Sequence, residues 1–151
     1  MAYANFTFYR DSYFGEILTE DSAARWLSRA GDELDALTFG RLSSAFPTDE
    51  ANAEKVRKAV CAAADALFCV DMQRRAASAQ KDADGQYRGA VASVTSGRES
   101  VSYAVGGNAA TVYATAAANP AALTELLYAI AVKYLSNVPD ANGVNFLYAG
   151  V

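Results

Sequence analysis

The stretch DEANAEKVRKAVCAAADALFCVDMQRRAASAQK, residues 49–81, decides the fold class. Val56, Val60, Ala63, Leu67 and Val70 recur at alternating spacings of four and three, which draws one apolar stripe along a helix. Asp49, Glu50 and Glu54 stand near its start and Arg74, Arg75 and Lys81 near its end, an order that complements the helix dipole. Alanine is the best helix former, and Ala59, Ala62 and Ala66 beside the stripe are small enough for a second element, from this chain or from another copy, to approach closely. Cys61 and Cys69 lie eight residues apart on this helix. That is about 12 Å of rise, too far for a disulfide, so both read as small apolar packing residues.

Upstream, Pro47 and Thr48 separate this helix from an earlier one, expected over Thr19–Phe39. Thr19 can cap it, Glu20 and Asp21 place negative charge in its first turn, and Gly40 supplies a stop. Ala23, Leu27, Ala30, Leu34 and Leu37 form its stripe, with Trp26 beside it as a packing or interface residue. Residues 3–18 carry Tyr3, Phe6, Phe8, Tyr9, Tyr13 and Phe14 without a clear helical period, and are expected to drape aromatic side chains over a helical core or a neighbouring subunit.

Downstream the character changes. Residues 82–89 are polar with two glycines, and residues 90–105 turn rich in Val, Ser, Thr and Tyr, which predicts strand, turn, strand with the bend at Thr95–Arg98. Val101, Tyr103 and Val105 alternate with Ser102 and Ala104. A lone hairpin is marginal, so it must pack on the helices or pair in trans. An alanine-rich, partly helical stretch follows to Ala118, then Asn119 and Pro120 start a helix to Ser136. Leu123, Leu127, Ile130 and Tyr134 mark one face, and Leu126, Tyr128, Val132 and Leu135 cover much of the rest, which predicts burial on most sides. Asn137–Gly143 breaks that helix, and an apolar tail, Val144–Val151, docks on the domain or serves a partner.

The whole chain of 151 residues, with a net charge of −4, 52% hydrophobic and 20% charged residues, fits a single domain, mostly α: a small helical bundle with one protruding β-hairpin. It holds no histidine, which excludes a Ser-His-Asp triad, a Cys-His pair and an HExxH zinc site. The acidic balance argues against a free-standing nucleic-acid binder. Neither a secretory signal nor a membrane span is evident, so the protein is expected in the cytoplasm.

Short patterns that mimic sites read as structure. Ser78-Ala79-Gln80-Lys81 has the S-x-x-K spacing without its companion motifs. Asp140–Gly143 lacks the spacing and terminal glutamate of a calcium loop, and reads as a solvated turn. Gly106-Gly107 lacks the Lys and Ser/Thr of a phosphate loop. The carboxylate pairs Asp32/Asp35, Asp49/Glu50 and Asp82/Asp84 take structural positions, and Arg74 and Arg75 complement a helix dipole. No enzymatic activity, catalytic residue, metal or cofactor is expected.

The order of segments carries more than any single motif. Tyr13-Phe14-Gly15, Ser28-Arg29-Ala30-Gly31-Asp32-Glu33-Leu34-Asp35 and Val60-Cys61-Ala62-Ala63-Ala64-Asp65 come first. The segment 94–103, VTSGRESVSY, leads on to Ala131-Val132-Lys133-Tyr134-Leu135-Ser136 and Phe146-Leu147-Tyr148-Ala149-Gly150-Val151. This arrangement resembles the small head–tail connector (adaptor) proteins of tailed bacteriophages and prophages. The resemblance implies a structural virion protein that forms a homo-oligomeric ring of about twelve copies under the portal protein, at the neck of the virion. Its partners would be further copies of itself, the portal, and a downstream neck, stopper or tail protein. DNA would pass through without sequence-specific binding, and assembly would take place in the host cytoplasm. The candidate interaction residues are Val91, Val94, Val101, Tyr103 and Val105 on the hairpin and Phe146, Leu147 and Tyr148 on the tail. The alternative is a small helical binding or regulatory subunit of a non-viral complex; an enzyme with a carboxylate site is the weakest reading.

Overall fold

Alanine dictates how the long helix is used. In the computed structural model, which describes residues 3–79 and 111–147, the helices are α1 (Phe6–Asp11), α2 (Glu20–Leu37), α3 (Arg41–Ser44), α4 (Glu50–Ala79), α5 (Val112–Ala118) and α6 (Pro120–Leu135). The chain divides into two compact units, Met1–Phe68 with Leu127–Val151, and Cys69–Leu126.

In the first unit, Val56, Ala59, Val60, Cys61, Ala63 and Ala64 of α4 are all fully buried. Three consecutive residues among them span most of the helix circumference, so this part of α4 is enclosed on several sides. Small side chains permit it, because neighbours can approach the backbone. The expected stripe is met here at Val56, Val60 and Ala63, while Leu67 is half-buried; its last residue, Val70, is buried in the second unit. α2 buries Ala23, Leu27, Ala30 and Leu34 as its spacing predicts, together with Trp26 and Gly31. The Trp26 ring meets Phe68 edge-on with centroids 5.9 Å apart and carries the Arg29 guanidinium on its face at 5.0 Å. Leu27, Leu34, Leu42, Leu127 and Leu135 are fully buried, each contributing roughly 1.5–3 kcal/mol of apolar transfer.

The helix ends follow local chemistry. Thr19 caps α2, its amide donating to Ser22 Oγ at 3.1 Å. At the other end Gly40 N donates to Asp35 O at 2.8 Å and Phe39 N to Ala36 O at 3.2 Å, the paired bonds of a Schellman closure. Thr38 is buried there with its hydroxyl donating to Leu34 O at 3.0 Å.

The aromatic segment carries one short helix: Asn5 Oδ1 accepts from Phe8 N at 2.9 Å and starts α1, a turn set by capping that is too short to show a period. One expectation is corrected in this unit, that of α6, where Leu127, Ala131 and Leu135 are buried but Tyr128 and Val132 are exposed. Apolar character does not oblige burial, and here the enclosed helix is the alanine-rich one.

In the second unit, Arg75 Nε pairs with Asp71 Oδ2 at 2.6 Å along α4. Thr111 Oγ1 caps α5 by accepting from Ala114 N at 3.0 Å, and Asn119 Oδ1 accepts from Ala121 N at 2.9 Å at the start of α6, as the Asn-Pro pair predicts. The described fold is mostly helical, and its one β-type pairing among the described residues is an isolated antiparallel bridge between Pro139 and Asn145. The hairpin expected over residues 90–105 lies outside the described residues. Among the described residues no helix is long and apolar enough to cross a membrane.

Candidate functional site

Two polar centres fasten the chain's end segments to the helices of the first unit, and between them they decide which side chains are left for a partner. The first is Tyr9. Its hydroxyl donates to Asp65 Oδ1 at 2.6 Å and accepts from the amides of Ile17 and Leu18, each at 2.9 Å. One donor and two acceptor positions exhaust a phenol. Gly15 crosses the ring so closely that a Cβ there would lie 2.1 Å from Tyr9 Cζ, and Gly15 N donates to Tyr9 O at 2.8 Å. Only a hydrogen fits in that position, so the turn from 12 to 18 is moulded on one buried ring.

Burial pushes Asp65 above the usual carboxylate range, against the pull of its hydrogen bonds from Tyr9 and Tyr13. Burial, with Asp65 adding to it, raises Tyr9 to about 12, raises Cys61 to about 12 and raises Tyr13 as well. A thiol held protonated is a poor nucleophile, and the hydrogen bonds of the cluster fasten the N-terminal segment to α4.

The second centre is Arg41. Its guanidinium donates to Asn145 O at 2.9 Å and Phe146 O at 2.7 Å, lies 3.5 Å from Asp140 Oδ2, and covers the Phe146 ring with its carbon 5.9 Å from the centroid. Asp140 Oδ1 accepts from Asn142 N at 2.8 Å and Val144 N at 3.0 Å, and Ala141 N donates to Ala45 O at 2.9 Å. The turn 140–143 is exposed at Ala141, Asn142 and Gly143, as its composition suggests, but anchored at Asp140, whose side chain is 2% exposed. Burial raises its carboxyl, but the amides of Val144 and Asn142 and the charge of Arg41 outweigh that and leave it below the usual range.

The side chains left outside include two phenylalanines with left-handed backbone, Phe14 at φ 61° and Phe39 at φ 60°. They are 75% and 67% exposed. An L-residue in this region costs about 1–2 kcal/mol, and an exposed ring recovers little of it by burial. Gly40 follows Phe39 and also has positive φ, yet the left-handed position that closes α2 falls on the phenylalanine. The sequence reading missed this, because it reserves such positions for glycine. A signal was present in Tyr13-Phe14-Gly15 and Thr38-Phe39-Gly40, where a phenylalanine precedes a glycine just after a helix.

The expected interaction residues divide. Phe146 is fully buried under Arg41 and its ring belongs to the chain's own core, a correction to its place among partner-facing residues. Leu147 is half-buried, with its amide donating to Asn145 Oδ1 at 2.8 Å. Tyr148 and the hairpin residues Val91, Val94, Val101, Tyr103 and Val105 lie outside the described residues. Among the described residues no group of three His, Cys, Asp or Glu side chains could hold a metal ion. No family model, curated protein or solved structure matches the chain.

Proposed function

We propose that the protein is a structural subunit of a tailed-phage virion, a head–tail connector whose copies close into a ring of about twelve beneath the portal and join the DNA-filled head to the tail. The observation that carries this reading is the pair of phenylalanines held in solvent on strained backbone at two helix ends of the first unit. Strain of that kind is held by the surrounding structure and clusters at functional sites, and large rigid aromatics at a surface are the usual anchors of protein contacts. The order of segments, resembling that family from Tyr13 to Val151, supports the same reading. In it, residues 90–105, expected from their sequence as a hairpin, meet a neighbouring ring or subunit. The docking tail shortens to the residues after Leu147, because Asn145 and Phe146 are fixed by Arg41. A chain with net charge −4 suits the wall of a channel through which DNA slides without sticking. The role is assembly, with no chemical step.

Electron microscopy of the purified protein, alone and mixed with a phage portal protein, tests the proposal. Rings stacked on the portal are expected. Particles that assemble, fill and join tails normally when the gene is deleted would end it.

A further inference from the structure

We propose that the turn Phe14–Ile17 is a preformed docking element for a different protein, inserting the Phe14 ring into an apolar pocket rimmed by lysine and arginine side chains. This deepens the connector reading by giving the chemistry of one partner, and shares with it only the premise that the chain works through contacts.

The two apolar side chains of the turn, Phe14 and Ile17, both face solvent, at 75% and 43% exposure. Their placement is fixed beforehand. Tyr9 holds the amides of Ile17 and Leu18 through its hydroxyl and that of Gly15 through its carbonyl, and is itself held by Asp65 on α4. A turn so fixed loses little freedom on binding, which is the condition for an aromatic anchor to count toward affinity.

The charge around it selects the occupant. Between residues 10 and 21 the sequence places Asp11, Glu16, Glu20 and Asp21 against Arg10 alone. Arg10 is engaged by Asp11, its Nε 2.6 Å from Oδ1. Glu16, Glu20 and Asp21 are exposed, Glu20 also acting on Arg10, so the segment that carries the ring has a net negative charge. A surface of the same sign is disfavoured there, and a cationic rim is favoured.

The test places a photoreactive benzoyl-phenylalanine at position 14 of the full-length chain, added to a lysate of the cells that naturally produce it, and maps the adduct by mass spectrometry. Expected is an adduct on a different protein, at an apolar residue flanked by Lys or Arg. Its yield should fall at least tenfold in the Glu16→Lys, Glu20→Lys background, whose melting curve verifies the fold. Excess unlabelled wild-type protein should compete the adduct away, and excess Phe14→Gly protein should not. An adduct on a second copy, one indifferent to the charge reversal, competition by Phe14→Gly, or no adduct at all would each overturn the proposal. A mapped partner that is absent from virions would end the connector reading while leaving the docking turn in place; rings on the portal without an adduct at position 14 would do the reverse.

Discussion

The Tyr9 hydroxyl sits 2.6 Å from Asp65 Oδ1, across 56 residues of sequence, and is the polar bond that fastens the N-terminal segment to α4. Removing it strands three groups at once: the carboxylate loses a donor, and the amides of Ile17 and Leu18 lose their acceptor. A buried group left without its partner costs about 1–3 kcal/mol. Tyr9→Phe is accordingly expected to lower stability by about 2–3 kcal/mol in urea unfolding. Asp65→Asn should cost less, because an amide oxygen still accepts from Tyr9, and the double variant should cost less than the two singles together. Additive losses would show that the bond contributes nothing.

The half-buried Asp65 and the buried Asp140 give opposite pH signatures. Asp65 is raised, so its contribution is present below the ordinary carboxylate value and lost as pH rises through the raised one. Asp140 is lowered, so its contribution is present above the ordinary value and lost as pH falls through the depressed one. Stability of Asp65→Asn relative to wild type should therefore be most favourable at neutral pH and decline on acidification. That of Asp140→Asn should be least favourable at neutral pH and recover in acid. Tyr9, raised to about 12 from 10.0, holds its contribution below pH 10.0 and loses it as the pH climbs toward 12. Unfolding curves of the three proteins across pH decide the matter, and parallel curves would remove the assignment.

Arg41 should be irreplaceable by lysine. Its planar fork reaches the carbonyls of Asn145 and Phe146 together, and an ammonium on a flexible stem cannot reproduce that geometry. Breaking a fully buried pair costs about 3–5 kcal/mol. The Arg41 side chain is 21% exposed, so Arg41→Lys is expected to cost less, about 1–3 kcal/mol. Hydrogen exchange should quicken at the amides of Val144 and Phe146 and remain slow at Ile17 and Leu18. Equal quickening at both ends would mean that the two fastenings are one cooperative unit.

What could be read from the sequence was what local chemistry sets. The stripe of α2, its Thr19 cap, the start of α4 and the Asn119-Pro120 start of α6 each depend on residues within a turn or two, and each is found. What could not be read depends on distant partners. Nothing near Asp140 announces Arg41, and nothing near Asp65 announces Tyr9, so one passed for a solvated turn and the other for a residue in an alanine helix. Burial of α6 was overestimated for the same reason, since composition does not say which helix a fold encloses. For the tail residue Phe146 the sequence leaves docking on the domain and contact with a partner both open, because it does not show the arginine that covers the ring.

Phe39 gives the sharpest separation between folding and function. At φ 60° the phenylalanine carries about 1–2 kcal/mol of backbone strain, while its ring, 67% exposed, buries little apolar area. Glycine at this position removes the strain but adds unfolded-state entropy of about 0.5–1 kcal/mol. Phe39→Gly should therefore stabilise the isolated protein by up to about 1 kcal/mol, raising its melting temperature by about 2–4 °C. The neighbouring Gly40→Ala, at φ 78°, should do the opposite and lower it by a similar amount, since its Cβ meets no packing that could compensate. If Phe39→Gly instead destabilised the isolated chain, the ring would be serving the chain's own fold and the surface would lose its claim as an interface. A gain in stability accompanied by failure to assemble would mean that the chain retains a strained phenylalanine for the sake of contact with its partner.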